Sequence, residues 1–498
     1  MSGQPAARVP NRWWINPALS LASGLLLVLL FPPFGLTWLA PVALTPIFIA
    51  CAHEPRWTRR ALYGWAAGFL FWEGVCPWIQ FVLEVHGGMG RWGGWGTFVL
   101  FGLGKGVPMA IFAALCGWLT KGWWSMPACA ALWTGVERLH AFTGFVWLDL
   151  GNVGIGMPLP MRLAPLTGVY GLTFVFALLA AAVAAILLGR PRRELAWLLL
   201  LGILFALPRL PRPDNPRETA LVVQPNFDTE MEWTADGVAL AEQKLALLSR
   251  TGRASLLIWP EAPAPFYPVE PSFRRYIAHV AQDAQTHFLL GAVGYTEHGE
   301  PLNSAFLLNP DGAIQGEYDK MNLVPFGEFI PPLFGWVNRI THEAGDFVPG
   351  TRVVVFRVNG HGAGAFICYE AAFPDFVRQF VDNGAELLIN ISNDGYFGHS
   401  AAHDQHLLLA RMRAAENRRW LIRATNDGIT AVIDPRGRVV RQMQPYVQTS
   451  ESMPFDYVPE RTLYSRYGDW FAWSCLGAGV LLAAARVRSD GSPARRRL

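Results

Sequence analysis

Charge is scarce in this chain. Of its 498 residues only 16% are Asp, Glu, Lys or Arg, against about a quarter in an average soluble domain. Hydrophobic residues make up 52%, with 21 Trp and 31 Phe. The formal net charge of +3 is too small to suggest a nucleic-acid partner. No clear signal-peptide cleavage site stands near the N-terminus, so the first apolar stretch reads as a retained helix. Cysteine is also scarce, with six in all. Cys51, Cys76, Cys116, Cys129 and Cys475 lie in hydrophobic stretches, and Cys368 stands alone in the one large polar region. A disulfide framework is thereby excluded from that region. No Cys/His cluster has metal-ligand spacing. His399, His403 and His406 fall near the start of an expected helix and read as structural, so neither metal nor cofactor is expected.

The shortage of charge is uneven. Residues 13–210 are dense in Leu, Ala, Gly, Trp and Phe, residues 215–462 resemble an ordinary soluble domain, and residues 469–485 are apolar again. Eight apolar stretches are candidate spans: 13–31, 35–52, 61–83, 93–119, 123–138, 163–189, 194–209 and 468–485. A helix needs about 20 residues to cross the hydrocarbon core, so the fifth and seventh are short. Eight spans put every basic cluster on one side: Arg8 and Arg12, then Arg56, Arg59 and Arg60, then Lys121, then Arg190, Arg192 and Arg193, and last Arg486, Arg488 and Arg495–Arg497. The excess of Lys and Arg on the cytoplasmic side then makes both termini cytoplasmic and turns 210–467 outward. The expected division is a membrane domain of about seven helices over 1–212, an outward domain over 213–465, and a last helix with a basic tail over 466–498. Glu73, Glu84, Lys105, Glu137 and Arg138 lie in or at the ends of spans. Such residues cost about 3 kcal/mol at the bilayer centre and are functional candidates unless they lie near an interface or snorkel. Lys105, between Gly104 and Gly106, suggests a broken or cavity-lining helix.

The outward segment alternates short apolar runs with helical spacing. Strands are expected at Ala220–Gln224, Leu256–Trp259, His287–Tyr295, Val353–Val358, Gly364–Cys368 and Glu386–Ile391, and helices at Phe273–Gln285 and His403–Trp420. Asn309-Pro310-Asp311-Gly312 and Arg436-Gly437 are turns. The mixture suits a layered α/β sandwich, and about 250 residues are enough for one well-packed domain.

Three residues stand at or just past strand ends, where open α/β sheets place their sites. Glu261 follows Ile258-Trp259-Pro260, Lys320 follows a hairpin strand, and Cys368 ends the Ala365–Ile367 run. A carboxylate can take the thiol proton. An ammonium favours thiolate and offers charge to an oxyanion. The thiolate can then hold an acyl group covalently. Each has a plainer reading too: a helix cap, a surface lysine, a buried inert thiol.

Trp259-Pro260-Glu261-Ala262, Tyr318-Asp319-Lys320 and Cys368-Tyr369-Glu370 resemble the Glu–Lys–Cys signatures of the nitrilase superfamily. Asn390–Gly398 and Arg423–Gly428 extend the match. A nitrilase-like domain between membrane spans resembles the apolipoprotein N-acyltransferase family, as do Leu323-Val324-Pro325-Phe326-Gly327-Glu328, Phe142–Leu148 and Pro165–Gly171. One departure is Val146, where the family usually has proline. The resemblance implies a multi-span α-helical membrane domain joined to a four-layer αββα sandwich, in a bacterial inner membrane with the catalytic domain periplasmic. It implies transfer of an acyl chain from a phospholipid, typically phosphatidylethanolamine, through a Cys368 thioester. The acceptor is the α-amino group of the diacylglyceryl-modified N-terminal cysteine of a lipoprotein. Glu261 is then the general base, Lys320 the oxyanion residue and Cys368 the nucleophile. Glu328 orients Lys320 or relays protons. Tyr369 and Glu370 support the nucleophile, the Tyr369 backbone N–H as a second oxyanion donor. Trp233 matches a substrate-contacting aromatic, and Arg138 a lipid-headgroup contact. The expected form is a monomer. Two other readings stay open: a membrane-tethered amidase or nitrile hydrolase, and a channel or transporter with a degenerate domain.

Overall fold

Proline and glycine set the breaks in the apolar part. In the computed structural model, which describes residues 14–143, 145–213, 215–228, 232–252, 254–325, 327–329 and 347–491, helices α1 (Ile15–Leu30), α2 (Thr45–His53), α3 (Trp57–Val75), α4 (Trp78–Val85), α5 (Gly90–Lys105), α6 (Val107–Leu119), α7 (Ser125–Arg138), α8 (Ala164–Thr167), α9 (Val169–Leu187) and α10 (Ile203–Ala206) precede the first strand. Arg8, Arg12 and the Arg495–Arg497 tail lie outside the described residues.

Among the described residues, three helices are long and apolar enough to cross a membrane: 90–119, Val169–Leu187 and Trp470–Arg488. The α3–α4 pair makes a fourth if its 66° bend lies within one span. The sequence led to eight apolar stretches, and the difference has physical causes. Pro77 lacks an N–H and bends the third stretch. The second becomes a 3₁₀ turn and the nine-residue α2. The fifth becomes the fourteen-residue α7. The seventh is an eleven-residue 3₁₀ helix, Arg192–Gly202, leading into α10. A 3₁₀ helix rises faster per residue than an α-helix, so this stretch reaches roughly 28 Å.

Glu137, Lys105 and Glu84 have structural partners, and Glu73 differs. Glu137 accepts from Trp133 Nε1 at 3.0 Å, the Leu150 N–H at 2.9 Å and Thr173 Oγ1 at 2.7 Å, tying α7 to α9. Lys105 lies at the α5–α6 break and donates to the Phe145 carbonyl at 2.7 Å. Glu84 accepts from Gln80. Glu73 Oε1 is buried with no hydrogen-bond partner.

The second part runs β1 (Glu218–Gln224), α11 (Ala235–Leu248), β2 (Leu256–Ile258), α12 (Pro271–Ala284), β3 (His287–Tyr295), β4 (Pro301–Leu308), β5 (Ile314–Asp319), β6 (Val355–Val358), β7 (His361–Ile367), α13 (Pro374–Asp382), β8 (Leu387–Ser392), α14 (Ala402–Asn417), β9 (Trp420–Thr425), β10 (Ala431–Ile433), β11 (Val439–Gln442) and β12 (Thr449–Phe455). The strands form two six-stranded sheets, ordered 12-1-2-3-4-5 and 11-10-9-8-7-6. The middle strands, β1-β2-β3 and β7-β8-β9, are parallel, and the outer pairs antiparallel. Successive side chains of a strand point to opposite faces. Ala220 and Val222 therefore pack toward the second sheet, while Leu221 and Val223 meet Leu245 and Ile277 of α11 and α12. Helices α13 and α14 pack on the second sheet. The result is the expected four-layer αββα sandwich. The helix expected to reach Trp420 ends at Asn417, because Arg418 turns left-handed at φ 51° and Trp420 opens a strand. The chain returns through α15 (Leu463–Tyr467) to α16 (Trp470–Gly491).

Gln405 of α14 joins the two parts. Its side-chain oxygen accepts from Trp78 Nε1 at 3.1 Å and Trp147 Nε1 at 2.7 Å. Its nitrogen donates to the Pro32 carbonyl at 2.9 Å and the Val75 carbonyl at 2.8 Å. The bend at Pro77 deprives Val75 of its helical acceptor role, and Gln405 fills that place. All four hydrogen-bonding positions of the amide are used. Gln405→Ala orphans four buried groups, at about 1–3 kcal/mol for each that water cannot reach. We expect the apparent melting temperature in detergent to fall by roughly 5 °C or more. A shift under about 1 °C would show that the seam does not depend on this amide.

Candidate active site

The site collects just past the carboxyl ends of β2, β5 and β7. Past β2, Trp259 anchors the chain by donating to Ser249 Oγ at 2.9 Å. Glu261 then turns inward, with Ala262 at φ 27°. Gly291 on β3 permits this turn, because a Cβ there would lie 2.6 Å from Glu261 Cα. The Glu261 carboxylate accepts from Asn303 Nδ2 at 2.7 Å, Lys320 Nζ at 3.1 Å and the Asn393 N–H at 2.8 Å.

Lys320 follows β5 and is 1% exposed. Its second carboxylate partner is Glu328, at 2.8 Å, which also accepts from Asn303 at 2.6 Å and from the Val324 N–H at 2.7 Å. Burial opposes the ammonium charge, yet Glu261 and Glu328 outweigh it and hold the Lys320 pKa well above its ordinary value.

Cys368 leaves β7 in the left-handed region, at φ 50°. Such a conformation costs of order 1–3 kcal/mol and persists only where its surroundings fix it. Two sets of contacts do so. Glu370 accepts from the Ile367 N–H at 2.8 Å, the Met321 and Asn322 N–H groups at 2.8 and 3.1 Å, and Tyr318 OH at 2.8 Å. It therefore ties the cysteine turn to the lysine loop. On the other side, His406 Nε2 meets the Cys368 carbonyl at 2.9 Å, and Asn390 Nδ2 donates to the same oxygen at 3.4 Å. Arg423 holds that histidine and Asp394 together, with Nη2 at 2.6 and 2.8 Å from the two Asp394 oxygens and 3.0 Å from His406 Nδ1.

Ligand atoms of Cys368, Asp394 and His406 lie within 4.8 Å of one another. The donor set does not fit a metal. A guanidinium occupies both Asp394 oxygens and Nδ1, and Nε2 serves the Cys368 carbonyl. His403 belongs elsewhere, at 2.7 Å from the Gly398 carbonyl.

Burial raises the Cys368 thiol pKa, the Glu261 charge raises it further, and Lys320 only partly offsets this. The field of Lys320 is divided between two carboxylates, so Cys368 rests as a thiol and would need a base to act as a nucleophile. Glu261, Lys320 and Cys368 line one cavity of about 550 Å³ with Glu328, Asn303 and Tyr396. Val82, Val85 and His86, at the end of α4, line it from the membrane part.

The other expected residues stand farther out. Tyr369 is buried in the seam, its hydroxyl accepting from the Val146 N–H at 2.9 Å and its ring stacked on Phe145. Arg138 pairs with Asp469 beside Trp473, in a separate cavity of about 250 Å³. Trp233 packs edge-on against Phe227, 5.9 Å between centroids, and does not line the Cys368 cavity. Asn303 and the Asn393 N–H were not singled out from sequence. Asn393, Asp394 and Arg423 lie within the motif stretches noted there, which was the available signal.

Residues 220–450 match the carbon-nitrogen hydrolase family, and residues 23–182 match the apolipoprotein N-acyltransferase N-terminal domain. The two sheets are thus a nitrilase-like carbon-nitrogen hydrolase fold. An apolipoprotein N-acyltransferase from Geobacter metallireducens is 34% identical over 96% of both chains. Another from Azotobacter vinelandii is 32% identical over 94% of both. Among solved structures, a mutant of the Nesterenkonia AN1 amidase from the nitrilase superfamily is 19% identical, with TM-score 0.37, over 52% of this chain and 94% of its own.

Glu261→Gln separates two effects of one carboxylate. If Glu261 acts as a general base, a role worth about 10²- to 10⁴-fold, acyl uptake should fall by that order. Its charge also raises the Cys368 thiol. Removing it should move the pH midpoint of Cys368 alkylation by iodoacetamide downward, toward more thiolate at a given pH. Retained acyl uptake, or an upward midpoint, would contradict this assignment.

Proposed function

The chain belongs to the apolipoprotein N-acyltransferase family, and from that premise we propose that it carries an acyl chain from phosphatidylethanolamine, through a thioester on Cys368, to a lipoprotein. The acceptor is the α-amino group of the N-terminal S-diacylglyceryl cysteine. The observation that carries this reading is a cavity with Glu261, Lys320 and Cys368 on one side and the end of a membrane-part helix on the other.

The chemistry follows from the resting charges. Glu261 takes the Sγ proton as sulfur attacks the ester carbonyl. Lys320 and the Tyr369 backbone N–H stabilise the oxyanion. The C–O bond breaks, and Glu261 returns the proton to the departing lysophospholipid alkoxide. In the second half, the acceptor amine attacks the thioester carbonyl and gives a proton to Glu261. The C–S bond breaks, and the thiol is restored. Glu328 and Asn303 hold Lys320 and Glu261 in register, and Glu370 fixes the cysteine turn. Trp233 and Arg138 act farther out, Trp233 as a substrate-contacting aromatic and Arg138 on a lipid headgroup.

The setting separates transfer from hydrolysis. Val82, Val85, Val293, Val324 and Phe347 line the cavity beside the charged groups. An apolar wall keeps water from the thioester until an amine arrives. Both lipids reach the cavity from one membrane surface, which raises their effective concentration. On this reading the enzyme is a monomer of the bacterial inner membrane, with a periplasmic catalytic domain and both termini cytoplasmic.

Intact mass spectrometry after incubation with phosphatidylethanolamine tests the proposal. The expected result is a gain of one acyl chain, reversed by hydroxylamine, absent in Cys368→Ala, and discharged by a diacylglyceryl peptide. Release of free fatty acid without transfer would favour the membrane-tethered hydrolase instead.

A further inference from the structure

A second cavity, of about 660 Å³, adjoins the first across α4. Trp78 and Phe81 of α4 line it, whereas Val82 and Val85 of the same helix line the Cys368 cavity. Phe397 lines both. It packs edge-on against Trp78, 4.9 Å between centroids, and is the partition between the two spaces.

Beyond these aromatics the second cavity is polar. Asn226, His399, Ser400, Asp427 and Tyr446 line it, and no lysine or arginine does among the described residues. Asp427 Oδ1 is buried there with no hydrogen-bond partner. A buried carboxylate oxygen left unmatched is costly, and an N–H donor from a ligand would remove that cost. An acyl chain has no such donor, and a peptide backbone has one at nearly every residue.

We propose that this cavity is the subsite for the peptide that follows the acceptor's lipidated cysteine, an inference that rests on the acyl-transfer reading. The acceptor's acyl chains lie on the membrane side and its folded body outside. Its amine must reach Cys368 while the next residues run out of the reactive cavity. The second cavity provides that path: it touches the first at one side chain and presents acceptors to backbone N–H groups. The phospholipid donor has no peptide, so the two half-reactions separate.

Ser400→Trp fills the cavity, and Asp427→Asn replaces the unmatched acceptor with an amide. Each full-length variant is loaded with phosphatidylethanolamine and followed by intact mass, then discharged with either a diacylglyceryl peptide or diacylglyceryl-cysteine amide, which ends at the cysteine. Thioester formation should stay within about twofold of the parent. Discharge to the peptide should slow by about tenfold or more in Ser400→Trp and by about threefold or more in Asp427→Asn. Discharge to the cysteine amide should not change. Equal discharge of both acceptors by parent and variants would overturn the inference. So would slowed thioester formation, since the cavity would then serve the donor or the fold. A parent that forms no thioester would remove the acyl-transfer reading itself.

Discussion

Gln405 is the joint on which the site depends. Its amide satisfies two indole donors and two backbone carbonyls across the seam between the membrane part and the sandwich. One of those carbonyls, on Val75, is exposed by the bend at Pro77, so the bend and the seam stabilise each other. Helix α4, held in this way, walls the reactive cavity at its far end. The next residue on α14, His406, meets the Cys368 carbonyl at 2.9 Å. Two neighbouring residues thus anchor the membrane helix and the nucleophile turn.

Within the cavity, charge is arranged so that no group is activated until a substrate arrives. Lys320 sits between Glu261 and Glu328 and keeps its proton. Burial and Glu261 keep the thiol protonated as well. A permanent thiolate would be open to oxidation and metal capture. A thiol beside a carboxylate becomes nucleophilic only when the proton and the carbonyl move together. In the proposed mechanism, Lys320 has an N–H beyond its two carboxylate bonds for the developing oxyanion.

The candidate residues were legible in the sequence because Glu261 and Cys368 follow short apolar runs, Lys320 follows a hairpin strand, and all three sit in motifs that carry the family resemblance. Glu261, Lys320 and Cys368 follow β2 and β5 of one sheet and β7 of the other, and the packing of the two sheets brings these strand ends to one cavity. What was not legible lies in contacts with no local mark. Asn303 is a buried amide within a strand that otherwise reads as apolar. Gln405 is one polar residue on a helix, and its four partners come from three distant stretches of the chain. Glu370 was associated with the nucleophile by family pattern, but its bonds to Met321 and Asn322 exist only in the folded chain. Hydropathy located the apolar stretches and was blind to how each is wound. The 3₁₀ segment at Arg192–Gly202 and the bend at Pro77 reflect packing, which no window of residues records.

The central claim is that one sulfur serves two lipids in turn, with the first product leaving before the second substrate binds. Initial rates of transfer, measured with phosphatidylethanolamine and a diacylglyceryl peptide both varied, test it most directly. A covalent intermediate on Cys368 predicts parallel double-reciprocal lines. Lines that intersect would mean that both lipids must be present together, and would contradict the account.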